Sequence, residues 1–481
     1  MKKTIVFVLT ILLLFSGFAT QSYASLSDTQ SAAIQALLDD AGRISGVPGM
    51  SISILADDEV FYFSSGYADR ESGLSASENS LYELASLSKA FTGMGILLME
   101  EQGLLSMSDS IQKYLPWFTL KYHGKQVDMQ SVTLNNFLHH TSGLTNGSLN
   151  QNIPQGNTQD MLQKTVEMHV DSELSFYPGE HYNYGTVNYD VLGLVMEIVS
   201  GQSYEDFMKE QVFQPLGLHQ TYLYKKDAQA TRQLAQGYRS SFLMTTPYNA
   251  PDFSGNKPAG YIISCTKDMA RWMGIQMGIV QDIPEIFHTV IEKSHQGDMS
   301  VPAVNEMYYA AGWSVNANHT IIEHPGGNPN FGTEMVILLN ERTAICLLTN
   351  GANINRSMVL QVKDILEGNL TQSYGISGTQ LLDIVLSSTT IILCLLAVLF
   401  FLLGLRRRNT NEPQPMTKKR IIVTAILLIA TIVQCIMCFA LDWSAILIWQ
   451  TYSVLTALIS SALLTASITW FVYTHRYNTS L

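Results

Sequence analysis

A serine hydroxyl becomes a strong nucleophile only when a base sits against it, and Ser86-Leu87-Ser88-Lys89 places an amine within reach. The segment heads an apolar-periodic run of Phe91, Met94, Leu97 and Leu98, so the spacing predicts a helix from near Ser86 through Met99. Residues three apart share a helix face, which brings the Lys89 amine beside the Ser86 hydroxyl. The unpaired N–H groups and positive potential of a helix N-terminus favour an anionic nucleophile and oxyanion there. A lysine partly desolvated in such a place can be neutral and accept the serine proton, which is acyl-transfer chemistry. The plainer alternative is an N-cap serine followed by a solvated lysine. Ser254-Gly255-Asn256-Lys257 repeats the spacing in a loop context with no helix behind it, and reads as incidental.

The surroundings of Ser86 decide between the two. Glu83–Thr92 is followed in order by Gly103 to Tyr114-Leu115-Pro116 and by Phe137 to His140-Thr141-Ser142-Gly143-Leu144. Next come Pro178-Gly179 through Tyr184, Asn188-Tyr189 and Gly193, then Phe213-Gln214-Pro215-Leu216-Gly217-Leu218, then His324-Pro325-Gly326-Gly327. Over about 330 residues this series resembles the serine β-lactamase/penicillin-binding-protein superfamily. Within it the class C-like branch fits best, with its class C β-lactamases, D,D-carboxypeptidases, D-aminopeptidases, family VIII-type esterases and FmtA-like proteins.

The resemblance implies roles. Ser86 would be the nucleophile, Lys89 its base, and Tyr184 the phenol that relays a proton to the leaving group. Tyr182 and Tyr189 flank it; the first reads as a packing residue and the second as the start of a helix face with Leu192. His324 stands where the family has the lysine or histidine of its third motif, facing Tyr184 or the substrate. The Gly327 N–H would pair with that of Ser86 as the oxyanion hole, and Gly326 would let a substrate backbone come close. His139 and His140 fall in a segment the family uses structurally, near the rim of the cleft. Two departures concern substrate recognition. Thr186 replaces the asparagine that meets the substrate amide, and Pro325 replaces a threonine hydroxyl that helps hold a carboxylate. No glutamate occupies the setting used by class A enzymes for deacylation. The expected function is therefore acyl transfer on D-aminoacyl amides or esters of the cell envelope, of peptidoglycan or teichoic-acid type. The alternatives are a β-lactamase and a non-catalytic receptor for an envelope ligand.

These residues need elements to hold them. A helix is expected over Thr29–Ile44, and a hairpin from Met50–Ile54 and Val60–Ser64 around Asp57-Asp58. A long helical and loop middle, about 105–300, follows. Strand-like runs return at Gly312–Val315, Thr320–His324, Glu334–Leu339 and Thr343–Leu348, before a last helix near 355–367. The expected fold is α/β (α+β): an antiparallel sheet built from both ends of the 25–370 domain, flanked by helices, with a mainly helical subdomain.

The chain is 47% hydrophobic and 14% charged, more apolar than an ordinary soluble protein, and the excess lies at its ends. Lys2 and Lys3, the apolar run Ile5–Phe18 and Ser22-Tyr23-Ala24 read as a signal peptide over 1–24, with an uncleaved anchor as the alternative. After a linker at 371–382, apolar runs at 383–405, 421–440 and 444–473 predict three transmembrane helices. Arg406-Arg407-Arg408 and Lys418-Lys419-Arg420 put the 406–420 loop in the cytoplasm, and His475 and Arg476 put the C-terminus there too. The catalytic domain would then be extracellular, with the lipid bilayer as a partner. A net charge of -12, with no basic cluster outside the membrane flanks, disfavours nucleic acid. No cysteine or histidine set has metal-ligand spacing, so neither metal nor cofactor is expected, and Cys346 reads as a buried free thiol in a strand.

Overall fold

The computed structural model describes residues 26–145, 154–355, 357–409, 418–440, 443–449 and 451–473. The expected signal peptide and most of the 406–420 loop lie outside these residues.

Helix α1 (Asp28–Ser45) opens on a Ser27 capping box and closes on Gly46 in the left-handed region. Strand β1 (Gly49–Ala56) then pairs antiparallel with β2 (Glu59–Asp69) in register Ala56 opposite Glu59, turning at Asp57 and Asp58 as the alternation predicts. A short β3 (Leu74–Ser75) ends the near side. The other strands come from the far end of the domain: β6 (Met307–Tyr309), β7 (Ser314–Asn316), β8 (Ile321–Asn328), β9 (Phe331–Leu338) and β10 (Thr343–Thr349). They form one antiparallel eight-stranded sheet, order β6-β7-β8-β9-β10-β1-β2-β3, in which β1 lies against β10. The sheet is thus assembled from both ends of the domain, as expected. Strands β1, β9 and β10 are buried along their whole length, Cys346 included.

Helices cover both faces. On one, α1 and the C-terminal α6 (Met358–Leu366) pack on β1, β9 and β10 through Leu38, Ile52, Leu347 and Val362. On the other lies the larger core around α2 (Ser88–Glu101), α3 (Val187–Ser200), the one-turn α4 (Lys257–Gly260) and α5 (Thr266–Gln276), with Phe91 stacked on Trp272. A separate hairpin, β4 (Tyr238–Ser241) with β5 (Met244–Pro247), was not evident from the sequence.

After α6 the chain stays on the domain: the Tyr374 hydroxyl accepts from the Asn355 N–H at 2.6 Å, and Ser377 is buried. Four helices follow: α7 (Gly378–Asn409), α8 (Lys418–Ala440), α9 (Trp443–Trp449) and α10 (Tyr452–Tyr473). The sequence predicts three spans, but among the described residues only two helices are long and apolar enough to cross a membrane, Gly378–Arg406 and Tyr452–Val472. The 421–440 run lies in helix α8, where Ala425–Gln434 is a shorter apolar stretch among the described residues. The 444–473 run is not one helix. It breaks between α9 and α10, where the Thr451 and Ser453 hydroxyls turn to the Asp383 carboxylate.

Candidate active site

Ser86 sits in a one-turn 3₁₀ segment, Ala85–Leu87, that leads directly into α2. The residue before it is held in the left-handed region, with Ala85 at φ +49° and fully buried. A non-glycine residue there carries strain of about 1–3 kcal/mol, which the surroundings must hold. They do so from two sides. The Leu84 N–H donates to Ile262 O at 2.7 Å, and Thr333 Oγ1 on β9 donates to Leu84 O at 2.9 Å.

Helix α2 carries Lys89 inward, where its side chain is completely buried. Its Nζ lies 3.3 Å from Ser86 Oγ and donates to Ala259 O on α4 at 2.6 Å. Burial pulls the amine down to about 7 from its ordinary 10.5, and the Asp190 carboxylate opposes the shift. A substantial share of Lys89 is therefore neutral near pH 7, as a base for Ser86 must be.

Tyr184 stands at the foot of α3, its ring centroid 5.0 Å from Lys89 Nζ. Its hydroxyl is buried and, among the described residues, makes no hydrogen bond of ordinary geometry. Burial raises the phenol above its usual range, and the nearby Ser86 hydroxyl draws it back. The Ser86 hydroxyl, the Lys89 amine and the Tyr184 phenol thus lie together. Thr186 follows as the residue that caps α3.

His140 is not at the rim. It is fully buried, with its ring 4.4 Å from that of Tyr184. Its Nδ1 faces two donors, Asn188 Nδ2 at 2.8 Å and the Gly185 N–H at 3.4 Å, so Nδ1 is the lone-pair nitrogen and the proton is on Nε2. The Ser142 hydroxyl donates to Asn188 Oδ1 at 2.7 Å and fixes that amide's orientation. Burial, then the nearby Lys89 and His324, hold the imidazole well below its ordinary pKa. It is a neutral wall that positions Tyr184. His139 is also buried, with Nδ1 2.7 Å from Tyr309 O.

The far wall is β8. Its pairing with β7 covers only Ile322 and Glu323, so from His324 onward one edge is open to the cleft. A proline cannot donate to a ladder, so the Pro325 nitrogen faces that edge, away from β9. Backbone groups alternate sides along a strand, which directs the Gly327 N–H to the same edge, as an oxyanion donor requires. Gly326 packs on the turn before Ser86: a Cβ there would lie 2.6 Å from Leu84 O and 2.1 Å from Thr333 Oγ1. His324 is buried, with Nε2 3.0 Å from the Tyr309 hydroxyl and its ring centroid 6.1 Å from that of Tyr184.

The sequence pointed to neither Asp190 nor Asn256. Asn256 Nδ2 donates to the buried Asp190 Oδ2 at 2.5 Å and holds the segment leading into α4, which receives Lys89. The second Ser-x-x-Lys copy is no second nucleophile, since Lys257 pairs with Glu205 at 2.5 Å and Ser254 with Asp252 at 3.0 Å. Yet it lies in a helical turn, not an open loop, and that turn backs the site. The one signal for Asp190 was an acid inside the apolar stretch Val187–Val195.

Known proteins resemble this chain. The chain is 28% identical over 307 residues to Protein flp of Staphylococcus aureus (strain MW2), covering 63% of this chain and 60% of that protein. The chain thus spans about 60% of that relative's length. It is 29% identical over 336 residues to Penicillin-binding protein 4* of Bacillus subtilis (strain 168), covering 66% of this chain and 71% of the other. The structure of the octameric penicillin-binding protein homologue from Pyrococcus abyssi superposes with a TM-score of 0.62 at 22% identity, over 72% of this chain and 79% of that one, a likeness of fold. The family described as Beta-lactamase matches residues 34–369, which include every strand of the eight-stranded sheet and each residue from Ser86 to Gly327. With its serine, amine and phenol gathered between that sheet and the helical core, this chain belongs to the Beta-lactamase family.

Proposed function

We propose that the protein is a membrane-anchored serine hydrolase, facing the outside of the cell, that works through an acyl-enzyme on Ser86. The observation that carries this reading is a fully buried Lys89 amine 3.3 Å from Ser86 Oγ, with its pKa brought to about 7. The Ser86 proton passes to Lys89 Nζ while Oγ bonds to the substrate carbonyl carbon. The Ser86 and Gly327 N–H groups receive the oxyanion. As the tetrahedral intermediate collapses, the leaving amine or alcohol takes a proton delivered through Tyr184, and water later cleaves the ester on Ser86. The substrates we assign are D-aminoacyl amides or esters of the envelope, of peptidoglycan or teichoic-acid type. The apolar C-terminal helices support a location at the membrane where such polymers lie. Ser86→Ala is expected to abolish covalent labelling by a fluorophosphonate and turnover of a small ester; full activity in that variant would remove Ser86 from the mechanism.

β-Lactam hydrolysis uses the same acylation steps and is the second reading, favoured by the family match. Pro325 and Thr186 weigh against it, since neither supplies the group that meets a β-lactam's carboxylate or amide in relatives. Buried polar groups left unpaired by the wrong substrate can discriminate by several powers of ten. Nitrocefin separates the two readings: slow or no turnover is expected here.

A further inference from the structure

The β4–β5 hairpin turns through Phe242 and Leu243, at φ +54° and +60°. A two-residue hairpin loop takes positive φ at both central residues, a conformation that side chains other than glycine, asparagine and aspartate adopt reluctantly, so a contact from outside the hairpin helps to hold this turn. It is Asp383, in the first turns of α7. The Phe242 N–H donates to Asp383 Oδ1 at 3.2 Å and the Leu243 N–H to Oδ2 at 2.9 Å. The same carboxylate accepts from Thr451 Oγ1 at 2.7 Å and from the Ser453 hydroxyl at the start of α10. Ser241 Oγ in turn receives the Tyr452 N–H at 2.8 Å and lies 3.0 Å from Thr451 Oγ1.

A second contact lies at the base of the hairpin. Arg239 is almost wholly buried, with its guanidinium 3.5 Å from the centroid of Tyr248 and 5.0 Å from that of Tyr452. It donates to Leu447 O at 2.7 Å and to Ile448 O, the carbonyls that end α9. A cation on the free carbonyls of a helix C-terminus satisfies both charge and hydrogen bonding. Beside it Trp449 stacks on Phe253 at 6.4 Å, and Phe253 lies 5.9 Å from Tyr261, next to the α4 turn that receives Lys89.

We propose that the C-terminal helices are a docking platform: the adjoining ends of α7, α9 and α10 form a socket that grips the β4–β5 hairpin and holds the catalytic domain in one orientation over the bundle. The partner is this chain's own helical segment, recognised by an aspartate that closes the hairpin turn and an arginine that caps a helix. Asp383 and Arg239 are buried by this docking and find their partners across it, which a flexible tether would not provide.

The test uses the full chain in phospholipid nanodiscs. Hydrogen exchange should show protected amides at 242 and 243. In Asp383→Ala these should exchange at least tenfold faster, with β1 and β10 unchanged. Equal hairpin exchange in both proteins would overturn the proposal. A second measurement covers a variant that misfolds: Ser241→Cys with Thr451→Cys should form a disulfide under mild oxidation, seen as a cross-linked peptide by mass spectrometry. Both thiols remaining open to maleimide would overturn the proposal equally. Neither readout depends on whether Ser86 turns over a substrate.

Discussion

At the scale of single residues the site rests on one displaced proton. Lys89 would hold its proton at neutral pH in water, and burial brings its pKa to about 7. Acylation of Ser86 by a fluorophosphonate should therefore lose about tenfold per pH unit below that point, as the neutral amine is consumed. A pH-independent rate between 5 and 7 would exclude Lys89 as the base. Lys89→Arg, whose guanidinium stays charged, should slow acylation by roughly 10²–10⁴-fold. Asp190, whose own carboxyl burial holds well above the usual carboxylate range, in its charged form raises the Lys89 pKa against the effect of burial. Asp190→Asn should accordingly move the acid limb of the profile to lower pH, whereas a purely structural role would lower the rate and leave the limb in place. Ser86 and Lys89 were legible because one turn of helix joins them. Asp190 and His140 were not, because their roles come from contacts to α2, α4 and Tyr184 that only folding creates.

At the scale of elements, a strand edge and a helix start must meet without a gap. Gly326 sets the distance, since a side chain there would strike both Leu84 O and Thr333 Oγ1. Gly326→Ala should push β8 off the nucleophile turn and cost about 10²–10³-fold in acylation, the loss typical of a missing oxyanion donor. Stopped-flow acylation beside a melting curve checks this, and an unchanged rate would refute the contact's importance. The β1–β2 hairpin was visible in the sequence because alternation and Asp57-Asp58 are local signals. The β4–β5 hairpin was not: its turn residues, Phe242 and Leu243, carry no turn chemistry, and their conformation is held by a carboxylate about 140 residues later. The third apolar run holds a helix of spanning length, Tyr452–Val472, but begins later than its hydropathy suggests. Its hydropathy looks continuous, but Thr451 and Ser453 are committed to Asp383, and the helix breaks there.

At the scale of the molecule, two helices of spanning length among the described residues follow a domain whose site residues all precede them. The full chain should stay with the membrane pellet after alkaline carbonate washing, and protease added outside protoplasts should remove the catalytic domain. Release into the wash, or protection from that protease, would refute the anchor or its orientation respectively. The sheet's topology carries a consequence for biogenesis. Strand β1 ends at Ala56, yet its neighbour β10 begins at Thr343, and Gly327 reaches the nucleophile turn only through that late segment. A chain emerging from its N-terminus thus presents Ser86 long before the β8 wall arrives. In such a precursor the cleft beside Ser86 has only one wall, and it is complete only when the last strands close the sheet.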